Sequence, residues 1–97
     1  GNHTLNPGNG TFIKLGALSA DGVLVGISGG ADGRVLFVYN SDDTDELRVS
    51  HDSSAETTAG NRIYTTTASN VDIVARGTAM LIYDAAASRW VVINISP

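Results

Sequence analysis

The sequence predicts an all-β domain, a small antiparallel β-sandwich of jelly-roll type with about eight short strands. Three observations predict it. Val, Ile, Thr and aromatic residues recur in short bursts, parted by Gly, Asn, Asp and Ser. Eleven glycines in 97 residues imply many turns with unusual backbone angles. No ten-residue window holds a helical period, and the apolar bursts recur at roughly 8–12-residue spacing.

Residues 1–10 are polar and turn-forming and read as an entry segment or linker, leaving 11–97 as a single β domain. The chain opens Gly1-Asn2-His3 without methionine, which reads as a processed fragment of a longer protein. Residues 11–15 form the first expected strand, with Phe12 inward. Ser19-Ala20-Asp21-Gly22 reads as a hairpin-type turn. Residues 23–27 are apolar throughout, which predicts burial on both faces or a subunit contact. Gly29 to Gly33 is the next turn. Residues 34–40 give the strongest central strand: Val35, Phe37 and Tyr39 face one side, Leu36 and Val38 the other, and both sides are apolar. Residues 46–51 alternate, with Leu47, Val49 and His51 on the inner face. Asp52 to Gly60 is a polar loop. Residues 61–65 and 71–74 supply two more strands, with Ile63, Val71 and Ile73 inward. A hairpin of 78–84 and 89–95, carrying the single tryptophan, closes the domain.

Composition narrows the function. The net charge of −4, with six basic residues scattered along the chain, argues against a nucleic-acid partner. No apolar run is long enough to span a bilayer as a helix. Without cysteine there is neither a disulfide framework nor thiolate chemistry. No Ser/His/Asp order or Gly-x-Ser-x-Gly stands out, and only a chance meeting of Asp72 and Asp84 would pair carboxylates, so the chain reads as a non-enzyme with no catalytic residues. The densest charge cluster, Asp42-Asp43-Thr44-Asp45-Glu46, lacks calcium-loop spacing and reads as a solvated tip, so no metal or cofactor is expected. His51, a lone histidine at a strand end, reads as hydrogen-bonded to the following loop rather than as a metal ligand. Tyr39, Tyr64, Tyr83 and Trp90 offer faces for sugars, but aromatics on strands are more often core or interface residues.

Four short elements occur in order: Gly33 to Asn40 (Gly, basic, apolar strand, Asn), Leu47 to Asp52 (an apolar strand with His), Ala59-Gly60-Asn61-Arg62-Ile63, and Gly77 to Asp84 followed by Arg89-Trp90. Together they resemble a module of phage tail-fibre, spike and head-fibre proteins, over residues 33–95. The resemblance implies a compact β domain, homotrimeric, on the exterior of a virion, at tail or capsid. It implies attachment to host-surface carbohydrate or protein, or else a purely structural role in fibre trimerisation or capsid decoration. The apolar faces beyond those one small sandwich can bury agree with self-association. The expected contact loops carry Asp42, Asp43, Asp45, Glu46, Asp52, Ser53 and Glu56. Asn61, Tyr83, Asp84, Arg89 and Trp90 are expected to hold the fold.

Overall fold

The computed structural model describes residues 1–16 and 22–96. Their regular structure is all β apart from one 3-10 turn, Ala59–Asn61. The strands are β1 (Asn2–Leu5), β2 (Phe12–Leu15), β3 (Val23–Ile27), β4 (Val35–Asn40), β5 (Leu47–Val49), β6 (Ile63–Tyr64), β7 (Val71–Ile73), β8 (Thr78–Asp84) and β9 (Arg89–Ile95). One sheet runs β1-β3-β5-β7 and the other β2-β4-β8-β9-β6.

Successive strands from β1 to β8 therefore fall in alternate sheets. Pairings β1–β3, β2–β4 and β3–β5 are parallel. Asn2 lies beside Val23, Phe12 beside Phe37 and Val23 beside Arg48, so each coil takes about 21 to 25 residues. The first half of the chain thus winds as a β-solenoid of two strands per coil. The second half closes it with antiparallel pairs, β5–β7, β4–β8 and the β8–β9 hairpin, while β6 joins β9 in parallel.

This corrects the antiparallel jelly roll. Alternation along a strand tells which residues face inward, but not which strand lies alongside, and short strands joined by crossing loops satisfy the same pattern when coiled. The strands flanking the expected 19–22 hairpin, β2 and β3, lie in different sheets, and Ser19 to Asp21 are outside the described residues. The segment expected as an entry contains a strand, β1, whose polar sequence Asn-His-Thr-Leu hides it.

The core sits between the sheets. Leu24, Ile27, Leu47, Val49 and Ile73 of the first sheet meet Leu36, Val38, Ile63, Leu81, Trp90 and Val92 of the second. Trp90 is fully buried. Its indole N–H donates to the Ile27 carbonyl across the core at 2.8 Å, and the Tyr83 ring meets it edge-on at 5.2 Å. Tyr83 in turn donates its hydroxyl to the Gly60 carbonyl at 2.9 Å. Trp90 and Tyr83 thus tie the closing hairpin to the first sheet and to the loop before β6.

Two polar side chains hold the turns of neighbouring coils together. The Arg34 guanidinium donates to the carbonyls of Gly29, Gly8 and Gly10 at 2.9, 2.7 and 2.9 Å, bridging the loops on either side of two successive coils. Buried Asn40 donates its amide to the carbonyls of Asp45, Ile73 and Val74 at 2.9, 3.0 and 3.2 Å. Each satisfies carbonyls that bends in the chain would otherwise leave without partners. Arg34 and Asn40 bracket the strongest strand, so the first element of the family-like pattern has a structural explanation of its own.

Candidate functional surfaces

Two surfaces were candidates from the sequence: the polar loops 41–46 and 52–60, and the second apolar face of residues 34–40. The loops are tied more tightly than expected. Asp42 turns its carboxylate onto its own loop, accepting the Thr44 N–H at 2.9 Å, the Asp45 N–H at 2.9 Å and the Thr44 hydroxyl at 3.1 Å. These donors, that of Asp45 first, hold its pKa below the ordinary carboxylate value. Asp43 and Glu46 stand exposed, and Asp45 is half-buried. Asp43 reaches Arg76 only at 3.9 Å between two exposed side chains, a contact worth little. Among the described residues no three His, Cys, Asp or Glu side chains converge on one point.

Glu56 departs most from the contact-loop expectation, being only 6% exposed. Its carboxylate accepts from the Thr4 hydroxyl of β1 and, at 3.1 Å, from the Thr58 N–H. It also lies against Gly26, where a Cβ would collide with its carboxylate. The Thr4 hydroxyl, then the Thr58 N–H and the Asn61 side chain, keep the Glu56 pKa low, with Arg62 adding its charge. Glu56 is therefore a latch that holds β1 onto β3 from the outer side of the first sheet. That latch also explains the apolar run 23–27. The chain's own loop lies against it, so burial there needs no subunit contact.

Asp52 accepts from the Arg89 guanidinium at 2.9 Å, a partly buried pair. Ser53 is half-buried, and its hydroxyl accepts the Ala55 N–H at 3.2 Å. Arg89 also lies 5.2 Å over the Tyr64 ring, and His51 stacks on the same ring at 5.4 Å. The His51 Nδ1 accepts the Thr65 N–H at 3.0 Å, which fixes it to the loop after β6. Of the aromatics considered for sugars, Tyr83 and Trp90 are buried and Tyr64 is flanked by His51 and Arg89. Tyr39 is stacked against Phe12 at 5.9 Å.

The face that remains uncovered is the outer side of the five-stranded sheet. Register places its outward residues in rows across the strands. One row runs Val35, Ile82, Val91 and Tyr64. The next runs Phe12, Phe37, Met80 and Asn94. A third runs Lys14, Tyr39 and Thr78. Phe12 was expected inward, but it points out and is 61% exposed; Phe37 is 38% and Ile93 49% exposed. Ile93 reaches this level because the β8–β9 ladder shifts between Met80 and Leu81, leaving an extra residue in β9. A shallow depression of about 240 Å³ opens at the second row, lined chiefly by Phe12, Phe37, Met80, Ala79 and Asn94. The signal was in the sequence, since residues 35–39 alternate between two apolar faces and only one can meet the core.

No family model, curated protein or solved structure matches the chain.

Proposed function

We propose that the chain is an association module of a virion appendage, homotrimeric and exterior, whose working surface is the outer face of the five-stranded sheet. The observation that carries the reading is that apolar face, with Phe12, Phe37 and Ile93 exposed on a domain of 97 residues. Monomers rarely leave so contiguous an apolar area open unless it meets another surface. The ordered elements from Gly33 to Trp90 that resemble fibre and spike modules supply the setting, and the hydrogen-bonded turns suit a part that bears load. In this role the domain holds an appendage or capsid decoration together and performs no reaction.

The test is a particle lacking the domain. Loss of appendage or particle stability is the expected result, and an equally stable particle would rule the role out. A second reading, attachment to host-surface carbohydrate or protein, is favoured by one observation: Asp43 and Glu46 project exposed from their loop, Asp43 meeting only the exposed Arg76 at 3.9 Å. It predicts that the purified domain binds host cells and that Asp43→Asn with Glu46→Gln weakens binding. Undiminished binding by that double variant would place attachment elsewhere.

A further inference from the structure

Resting on the reading that this face works by association, we infer that its occupant is a second copy of this chain. Size is the first argument. Four strands about 4.8 Å apart, with outward residues over some 20 Å of strand, present roughly 400 Å² in projection. The accessible area of a face studded with side chains is larger still, so the face comes within a factor of two of the ~800 Å² each partner brings to a standard interface. A copy of the same face supplies an equal, equally apolar counterpart.

Charge is the second argument. The rows of Val35, Phe12 and Tyr39 carry a single charge, Lys14 at the β2 edge. Asp84 stands on the same face one step beyond Ile82, at the opposite end and across β4 from Lys14. Its Oδ1 accepts only the Ala86 N–H, at 3.0 Å. Arg89, which pairs with Asp84 across the hairpin, is already bound to Asp52. Beyond the Arg89–Asp52 pair, the face carries one cation on the edge strand β2 and one anion at the far end of the central strand β8, and so complements itself. One copy's Lys14 meets another's Asp84 while the apolar rows pack between them, and around a three-fold axis each copy gives one such contact and receives one.

Other occupants fit less well. A saccharide on Phe12 and Phe37 would find few polar groups. The Thr78 and Ser96 hydroxyls bond each other at 3.2 Å, leaving Asn94 as the polar group free to turn toward it among the residues lining the depression. An anionic polymer or lipid surface would want more than one lysine.

The experiment is sedimentation equilibrium of the purified chain over a range of concentrations, with near-ultraviolet circular dichroism of Trp90 reporting the fold. Concentration-dependent association is expected for the native chain, and a monomer up to about millimolar concentration overturns the inference. Phe37→Lys and Ile93→Lys, each at an exposed position, are expected to keep the Trp90 signal and stay monomeric. A folded variant of either kind that associates as the native chain does would overturn it. Lys14→Glu and Asp84→Lys are each expected to weaken association several-fold. The chain carrying both is expected to regain it with itself but not with the native chain. Failure of that charge-swapped chain to recover would exclude the Lys14–Asp84 contact. A monomer would also exclude the homotrimer proposed above, whereas an associating chain whose loss leaves the particle stable would exclude the appendage role alone, so the two failures are distinguishable.

Discussion

Trp90→Ala is the sharpest test of how the two sheets are joined. The side chain is fully buried, and its loss opens a cavity bounded by Ile27, Tyr83 and the apolar lining of both sheets. Large-to-small changes at such positions cost about 3–5 kcal/mol. The Ile27 carbonyl would also lose the indole N–H that reaches it at 2.8 Å, and an orphaned buried acceptor costs about 1–3 kcal/mol unless water enters the cavity. A domain of this size is stable by about 5–15 kcal/mol, so a third or more of its stability is at stake. At about 4–8 °C per kcal/mol, the cavity alone should lower the melting temperature by roughly 12–40 °C. Because the substitution removes the fluorophore, unfolding in urea should be followed by far-ultraviolet circular dichroism. Trp90→Phe separates the terms, retaining most of the ring while deleting the N–H, and it should cost clearly less than the alanine. A loss below about 1 kcal/mol for Trp90→Ala would mean that the indole does not bridge the sheets, and the description of the core would be wrong.

Three further outcomes are expected. Gly26→Ala should destabilise, because the new Cβ would push the Glu56 carboxylate off its Thr4 and Thr58 donors; a urea midpoint equal to the native one would count against the latch. Ala68 sits in the left-handed region at φ 57°, so Ala68→Gly should relieve strain of about 1–2 kcal/mol, less the ~0.5–1 kcal/mol entropy cost of glycine; a lower melting temperature would contradict this. Asp42 and Glu56 both titrate below their ordinary values of 3.8 and 4.5, so their contribution is fully present above those values and is lost as pH falls through the lower folded-state values. Stability measured from pH 6 downward should therefore drop below about pH 4–5, and Asp42→Asn with Glu56→Gln should flatten that drop.

Much of the fold's local grammar was readable because side-chain alternation has a direct physical cause. Leu36 and Val38 point one way and Phe37 and Tyr39 the other, and the structure keeps that division. The closing hairpin also matches its residue pattern, since a short turn between two strong strands leaves one pairing easily reached. Neighbour choice was not readable. Nothing in Phe12–Leu15 says that its partner is Phe37–Asn40 in parallel rather than the following strand, because that depends on how the loops cross. β1 was hidden because its exposed edge carries polar residues, and besides its ladder to β3 it is held by Glu56, more than fifty positions away. The clue to Glu56 lay in Gly26, a glycine inside an apolar strand, which marks close approach by another part of the chain.

The coiling also governs how the chain reaches this structure. Within each sheet, β8 and β9 are the only neighbours that follow one another directly among the described strands. They can pair through a turn of four residues, whereas β1–β3, β2–β4 and β3–β5 must each first close a segment of 17 to 19 intervening residues. The hairpin is therefore the natural nucleus, and the coils add later and more slowly. Substitutions in β8 and β9 should slow refolding, while those in β1 should chiefly speed unfolding. A chain interrupted early would then retain the hairpin and lose its first coil.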